Sequence, residues 1–255
     1  MGSPASASLD RVDREQRFHD ERFADDTTRA ATLKYYRAAR AASSAYRRTV
    51  AGLGGGAEVL EYGCGPGSAA WDIAEAGGRV TGVDISPVAI DRAKREAGDR
   101  GVADCQFLLM NAEELEFDNN SFDLICGSGI LHHLELEAAY GELARVMRPG
   151  GAAVFYEPLG HNPFINLYRR LTPAMRTEDE HPLTTSDLEG AKRRFRTVET
   201  EFHVLTALVA SPVSHTRWGQ VLASVLGRLD SLVFRLLPVS RRWAWIVVLT
   251  LGEPR

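Results

Sequence analysis

The stretch Val59-Leu60-Glu61-Tyr62-Gly63-Cys64-Gly65-Pro66-Gly67 decides the fold of this chain. It joins a short apolar run, typical of a buried β-strand, to three glycines at alternate positions. Glycine lets the backbone turn sharply and approach a ligand closely, because a Cβ would collide with the ligand or forbid the required φ. Asp84 ends the next predicted strand about 20 residues later, where a carboxylate can accept hydrogen bonds from both ribose hydroxyls. The pattern therefore predicts a site for a nucleotide cofactor.

The spacing of the glycines favours one cofactor over another. A dinucleotide site has the pattern G-x-G-x-x-G, with the pyrophosphate on the next helix N-terminus. Here the last glycine comes one residue early, at Gly67, and Ser68 stands in its place. Glu61 would repel a pyrophosphate, but it could help to hold an amino-acid ammonium, directly or through water. S-adenosylmethionine has that ammonium and no phosphate.

Alternating apolar strand patterns and helix patterns predict a parallel sheet covered on both faces. The predicted strands are near 58–62, 79–84, 105–109, 122–127, 152–157, 198–205 and 243–251. Ser86 and Pro87 predict a helix start, with Ser as the N-cap and Pro at the first helical position. Ser186 and Glu189 have the spacing of a capping box.

Five segments occur in the order found in the class I S-adenosylmethionine-dependent methyltransferases, which this chain resembles. They are residues 59–67, 80–86, 111–113, 122–133 and 148–156. The resemblance covers roughly 57–157 and points to the small-molecule type. It implies a Rossmann-like, doubly wound sheet of seven strands, mostly parallel with the last strand antiparallel, together with N-terminal helices and a helical lid.

The resemblance also implies which residues bind S-adenosylmethionine and its product S-adenosylhomocysteine. They lie in the glycine loop, after the second, third and fourth strands, and on an N-terminal helix that closes over the cofactor in similar enzymes. The expected contacts are Glu61, Gly63, Cys64, Gly65, Gly67, Asp84, Ile85, Asn111, Ala112, Glu113, Gly127, Ser128 and Tyr36. Cys64 is expected to contact the cofactor by its backbone rather than to act as a nucleophile, because no base stands beside it.

Methyl transfer requires alignment of the acceptor, exclusion of water and sometimes a general base. We predict His161 as the first candidate base, with Glu157 beside it, because both follow the fifth strand. His132, after the fourth strand, is a further candidate. Histidine changes charge near neutral pH, which suits deprotonation of a phenol, an amine or an activated carbon. The alternative for these histidines is capping or loop hydrogen bonding.

Charge, cysteine content and apolar runs indicate which ligands and which compartment to expect. The formal net charge of −4 argues against a nucleic-acid binder. The three cysteines show no metal spacing, so we expect no metal site and a reducing compartment. Neither a secretory signal nor a run of about 18 uncharged apolar residues is seen, and we expect a cytoplasmic protein.

The chain divides into a flexible or charged arm at 1–26, a helical segment at 27–52 and a methyltransferase domain at 53–255 with cap insertions at 158–185 and 209–242. Within the second insertion, residues 217–236 carry an apolar stripe at helical spacing, bordered by arginines. We expect this helix to pack on the sheet, on a subunit of a homo-oligomer or over the pocket. The alternative is contact with a membrane surface.

These observations predict transfer of a methyl group to an O, N or C nucleophile of a small, largely apolar molecule, a natural-product intermediate. No Asn/Asp-Pro-Pro-Tyr/Phe box follows the fourth strand, and the two cap insertions are rich in apolar and aromatic residues. A quinone or lipid methyltransferase at a membrane surface is the alternative. From other classes, an NAD(P)-dependent oxidoreductase is disfavoured by Ser68 and Glu61, and a catalytically silent partner subunit is disfavoured by the intact motifs.

Overall fold

The computed structural model describes residues 4–24, 39–67, 69–173, 177 and 179–255, with side chains from Asp10 onward. The strands are β1 Glu58–Tyr62, β2 Arg79–Asp84, β3 Cys105–Leu109, β4 Phe122–Ser128, β5 Met147–Pro158, β6 Phe195–His203 and β7 Ile246–Pro254. The helices are α1 Pro4–Ala24, α2 Arg40–Gly54, α3 Ala70–Glu75, α4 Pro87–Arg100, α5 Leu136–Val146, α6 Pro163–Leu171, α7 Thr185–Ala191 and α8 Arg217–Leu236.

The strands form one seven-stranded sheet in the order β3-β2-β1-β4-β5-β7-β6. The first five strands of the chain run parallel, and β7 is antiparallel to both β5 and β6. β1 lies between β2 and β4, so the chain order reverses there, and ligands of such sheets bind at the carboxyl ends of the strands at this point. The sheet predicted from sequence, with its antiparallel last strand, is confirmed.

Alternate residues of the strands enter two apolar layers, one on each face of the sheet. Val59 and Val154 belong to the first layer, whereas Leu60 and Phe155 belong to the second. Helices cover both layers, as the near-continuous apolar strands predict. The last two strands begin and end a few residues away from the predicted bounds, at Phe195–His203 and Ile246–Pro254.

The structure confirms one predicted helix cap and corrects another. The Ser86 hydroxyl accepts a hydrogen bond from the Ala89 N–H at 3.1 Å, and Pro87 is the first residue of α4. The capping box predicted at Ser186 is wrong, because α7 begins two residues earlier. Thr184 is the N-cap, and its own N–H donates to the Asp187 carboxylate at 2.7 Å. Aspartate at N3 therefore completes the reciprocal pair.

α8 packs against the body of the protein by one narrow face, which is distinct from most of its apolar stripe. Its buried residues are Gly219, Ala223, Asp230 and Phe234. A Cβ at Gly219 would overlap the Val213 carbonyl, so glycine lets the helix lie directly against the preceding turn, Ala207–Val213. The helix thus packs on the sheet edge, as one of the expectations had it, through this buried side, where Phe234 lies beside Phe202 of β6. Most of the apolar stripe faces outward.

Asp230 secures α8 to the body of the protein. Its buried carboxylate accepts hydrogen bonds from the N–H groups of Leu205, Thr206 and Ala207 at 2.8, 2.8 and 3.2 Å. We expect Asp230→Ala to lower the free energy of unfolding by about 3 kcal/mol, because it strands these buried donors. Urea denaturation measures this, with exposed Ser231→Ala expected to stay within about 0.5 kcal/mol of wild type. An unchanged midpoint for Asp230→Ala would contradict this role.

Candidate active site

The glycine loop after β1 brings its backbone to the carboxyl ends of the central strands. Gly63 and Gly67 have φ values of 69° and 86°, in the left-handed region that favours glycine. A Cβ on Gly63 would lie 2.7 Å from the Ile130 side chain, and one on Gly67 would overlap the Trp71 ring. Gly63 and Gly65 line a cavity at this edge of the sheet, whereas Gly67 supports the turn without lining that cavity.

Asp84 lies at the end of β2 and faces the same cavity. One carboxylate oxygen accepts a hydrogen bond from the Gly65 N–H at 2.8 Å, and the other accepts one from the Ser86 N–H at 2.9 Å. Burial raises the pKa of Asp84, whereas these two N–H donors favour the ionised form. Each oxygen retains a second lone pair for a ligand hydroxyl. Ile85, the next residue, also lines the cavity.

Glu61 is buried beneath the loop and does not line the cavity. Its carboxylate accepts hydrogen bonds from the N–H groups of Ala69 and Ala70 at 2.6 and 3.2 Å, where α3 begins. A negative charge is stabilised at a helix N-terminus. Glu61 therefore holds the loop and α3 together. Its carboxylate does not reach the cavity, which is where the ammonium of the predicted contact would lie.

Cys64 lines the cavity and carries no sign of nucleophilic chemistry. Burial raises its pKa well above the ordinary value, and the carboxylates of Glu61 and Asp84 act in the same direction. The side chain is therefore a neutral thiol. This agrees with the prediction that Cys64 contacts a cofactor through its backbone.

The turn after β3 forms one wall of the cavity through Asn111, Ala112 and Glu113. The Asn111 side chain accepts a hydrogen bond from the Glu113 N–H at 3.0 Å, and the Tyr62 hydroxyl donates to the Ala112 carbonyl. The Glu113 carboxylate is paired with Arg11 of α1 at 2.5 Å. The side chains of Asn111 and Glu113 are thus partly engaged in contacts within the protein.

A buried histidine and glutamate form a pair on the opposite wall. His132 Nδ1 lies 2.8 Å from Glu157 Oε2, while Glu157 Oε1 accepts hydrogen bonds from the N–H groups of Ile130 and Leu131, each at 2.9 Å. Burial raises the pKa of Glu157 to about 7, against the effect of those N–H donors. Burial also lowers the pKa of His132 to about 4. His132 lines the cavity, and Glu157 orients it from behind.

The structure does not bring every predicted site residue to this cavity. His161 lies outside it, and its Nε2 accepts a hydrogen bond from the Thr185 N–H at 3.4 Å. The strand ends at Pro158, and the chain turns away before His161 is reached. Gly127 is packed within the sheet against Phe155, whereas Ser128, next along, lines the cavity. Tyr36 lies outside the described residues.

The sequence prediction missed α1 as a wall of the cavity. The segment predicted as a flexible or charged arm is a helix whose residues at four-residue spacing face inward: Arg11, Glu15, His19 and Phe23. Arg11 also donates to the His133 carbonyl at 2.9 Å. The four-residue spacing could have indicated an inward face. The high charge of the segment favoured a solvent-exposed arm instead, because the partners of Arg11 and Glu15 lie on distant elements.

Glu15, His19 and His133 form a cluster that could hold a divalent metal ion, since one ligand atom from each lies within 4.8 Å of the others. Burial lowers the pKa of His133 to about 4, so its imidazole is neutral and able to ligate. Two imidazoles and a carboxylate form a ligand set that first-row metals accept. The expectation of no metal rested on sequence spacing, and the fold brings these distant residues together.

Together these residues enclose a cavity of about 360 Å³. Its first half is formed by the glycine loop, Asp84 and the turn at Asn111. The other half is formed by His132, Tyr156, Pro158 and Ile246. The arrangement defines a Rossmann-like α/β protein that binds a nucleotide cofactor next to a partly apolar compartment.

Comparison with known proteins identifies the family of this domain. Residues 59–151 match the family model described as a methyltransferase domain. The resemblance to the class I S-adenosylmethionine-dependent methyltransferases is confirmed over these residues. The match covers the glycine loop, Asp84, the turn at Asn111 and the His132 segment.

Curated relatives align with less than the whole chain. The aklanonic acid methyltransferase DauC of Streptomyces sp. strain C5 is 37% identical over 119 residues, which are 43% of this chain and 53% of that protein. A sterol 24-C-methyltransferase of Pneumocystis carinii is 33% identical over 143 residues, 55% of this chain and 36% of that protein. The aligned part thus spans about half the length of DauC and a smaller share of the sterol enzyme.

Solved structures share the fold at low sequence identity. The geranyl diphosphate C-methyltransferase of Streptomyces coelicolor A3(2) has a TM-score of 0.58 and 15% identity, covering 82% of this chain and 78% of that one. The MccD protein has a TM-score of 0.58 and 16% identity, covering 82% of this chain and 96% of that one. These similarities extend the fold assignment beyond the region matched by the family model.

Proposed function

We propose that this chain transfers the methyl group of S-adenosylmethionine to an O, N or C nucleophile of a small, largely apolar molecule, an intermediate in natural-product biosynthesis. The observation that carries the proposal is the single cavity that joins Asp84 and the glycine loop to His132. A cofactor held by its ribose at Asp84 and an acceptor beside His132 would be bound in one enclosed space. Such alignment is the main requirement of methyl transfer.

The residues at the strand ends fit the parts of S-adenosylmethionine. The two Asp84 oxygens are available to the ribose hydroxyls, and the backbone of the turn at Asn111–Ala112 faces the place expected for the adenine. Ser128 and the loop at Gly63–Gly65 lie where the methionine portion would extend. When bound, the cofactor supplies an electrophilic methyl group. The protein supplies position and excludes water, with α1 as the covering wall.

His132 is the residue best placed to accept a proton from the acceptor. With Glu157 ionised, His132 Nδ1 carries the proton and donates a hydrogen bond to Glu157 Oε2. The lone pair is then on Nε2, the nitrogen that can act as a general base. We assign to His132 the role predicted first for His161, because His132 lines the cavity and is oriented by the Glu157 carboxylate, whereas His161 lies outside the cavity.

The class of acceptor follows from the lining of the cavity and from the relatives. Ile130, Leu134 and Ile246 provide apolar surface near His132. The names of two relatives contain aklanonic acid and sterol, and sterols are apolar ring systems. An apolar acceptor with one reactive group suits a compartment of this composition. The methyltransferase domain argues against the oxidoreductase alternative.

The test is incubation of the purified protein with S-adenosylmethionine labelled in the methyl group and a panel of apolar polycyclic, quinone and lipid acceptors. Transfer into the organic phase from at least one acceptor class, absent with Asp84→Ala, is the expected result. Binding of S-adenosylmethionine without transfer to any class would support a catalytically silent partner subunit. Transfer to nucleic acid included in the same panel would contradict the small-molecule proposal.

A further inference from the structure

Most of the apolar stripe of α8 faces solvent, from one end of the helix to the other, whereas Leu226 is partly buried against the core. Trp218 at one end of the helix is 82% exposed, and Leu236 at the other end is 67% exposed. Between them, five further large apolar side chains are exposed on the same face: Val221, Val225, Leu222, Leu229 and Leu232. Contiguous apolar surface of this extent marks an interaction site rather than ordinary protein surface.

One edge of this apolar stripe is lined by arginines. Arg217, Arg228 and Arg235 are 11 and 7 residues apart. At about 100° per residue they fall within about 20° of one another around the helix axis. All three are exposed. The helix therefore presents a hydrophobic face with a cationic border, the form of a helix that lies in the plane of a lipid interface.

The exposed charges of the segment that contains α8 are of one sign. From Val204 to Trp243, a fully described part of the chain, there are five arginines and one acidic residue. That acid is Asp230, which is 1% exposed and bonded to backbone N–H groups. The exposed charges of this segment are therefore all positive, although the whole chain has a formal net charge of −4.

The apolar surface continues past the end of α8 towards the cavity. Val239 and Trp243, in the turn Pro238–Trp243, are exposed. The Asn162 side chain donates to the Trp243 carbonyl at 2.8 Å, which brings exposed Phe164 at the start of α6 close to this turn. Ile246, three residues after Trp243, lines the cavity.

We propose that the outward face of α8, with the turn at Pro238–Trp243, docks on a bilayer that contains anionic lipids. Lipid phosphates offer counter-charges to the arginine row while the stripe enters the boundary between headgroups and acyl chains. A second copy of this chain is the weaker occupant, because its matching face would bring arginines and no exposed acid. No helix among the described residues could cross a bilayer, so the contact is peripheral.

Docking of this kind has a consequence for the acceptor. The lipid-facing turn ends three residues before Ile246, which lines the cavity, so docking would hold this side of the cavity near the bilayer, where apolar molecules dissolve. This consequence rests on the proposed methyltransferase function. The docking itself does not, because binding to vesicles is measured in the absence of cofactor and acceptor.

The experiment is co-sedimentation of the full chain with vesicles of phosphatidylcholine alone and of phosphatidylcholine with phosphatidylglycerol. We expect binding to the anionic vesicles that weakens as salt is raised. The double variant Val225→Glu and Leu229→Glu should lower the partition coefficient at least tenfold, because two apolar contacts are lost and two anions are added. Arg228→Gln should lower it by about fivefold.

The matched control is the double variant Gln220→Glu and Ser224→Glu, which adds the same charge to exposed positions on the polar side of α8. We expect it to bind no less than one-fifth as well as wild type, with all variants keeping the wild-type melting temperature. The proposal is overturned by failure of wild type to bind either vesicle, or by equal loss in both double variants. A third result would also overturn it: light scattering shows a dimer that does not bind vesicles, and Leu229→Glu converts that dimer to a monomer.

Discussion

Replacing Asp84 by alanine is expected to lower the affinity for S-adenosylmethionine and S-adenosylhomocysteine by at least about 100-fold. Two charge-assisted hydrogen bonds to the ribose hydroxyls would be lost, each worth about 1.5 to 3 kcal/mol. The variant also removes the acceptor that anchors the Gly65 N–H at 2.8 Å, so the glycine loop loses a constraint on its conformation. Isothermal titration measures the change directly.

Two comparison variants make this result specific. Asp84→Asn keeps the shape of the side chain but retains only one oxygen acceptor, so it should fall between wild type and alanine. Asp72→Ala removes an exposed carboxylate of α3 that pairs with Arg47, and it should bind as wild type does. Wild-type affinity in Asp84→Ala would show that the cofactor does not sit on β2 as proposed.

Removal of His132 or of its orienting carboxylate is expected to lower turnover by about 100- to 10,000-fold, the range for loss of a general base. In Glu157→Gln the side-chain amide would donate a hydrogen bond to His132 Nδ1. The proton of the neutral imidazole would then be on Nε2, and Nε2 could not act as a base. The affinity for S-adenosylhomocysteine should change by less than about threefold in His132→Ala, because the effect lies in the chemical step.

The rate should also depend on pH with a definite sign. Burial raises the pKa of Glu157 to about 7, and the active pair needs the carboxylate ionised. Turnover should therefore rise as the pH increases through 7, while His132, with its pKa lowered to about 4, stays neutral over this range. Glu157→Gln should abolish this limb of the pH profile.

His161→Ala is the control for the histidine variants, because His161 lies outside the cavity and its recorded hydrogen bond is to the Thr185 N–H. We expect it to keep turnover within about twofold of wild type, as surface loop changes usually do. Full activity in His132→Ala together with loss in His161→Ala would reverse the assignment of the base.

The side of the cavity formed by the glycine loop and Asp84 was predictable because its signals are local. Gly63, Gly65 and Asp84 belong to short patterns whose backbone demands can be read from the residues themselves, and parallel strands bring their ends together. For Glu61 the local pattern did not predict the hydrogen-bond partners. Its position was predicted, but its two oxygens bind the N–H groups of α3, a use that depends on how the turn closes in space.

The wall formed by α1 and the side of the cavity at His132 could not be predicted in the same way, because both depend on contacts between distant elements. Arg11 reaches Glu113 across more than 100 residues of sequence, and its pairing turns a charged segment into a wall of the cavity. His161 and His132 each follow a predicted strand, so the sequence alone did not distinguish them. The turn after Pro158 leaves His161 outside the cavity that His132 lines. For α8 the periodicity predicted an amphipathic helix, but the side that is buried carries Gly219, against the preceding turn, and Asp230, bonded to backbone N–H groups.

The most direct test of this account is isothermal titration of the wild-type chain with S-adenosylhomocysteine and S-adenosylmethionine, with NADH and NADPH as controls. We expect one site per chain for each sulfur ligand and no heat of binding from either dinucleotide. Binding of NADH or NADPH in place of the sulfur ligands would contradict it.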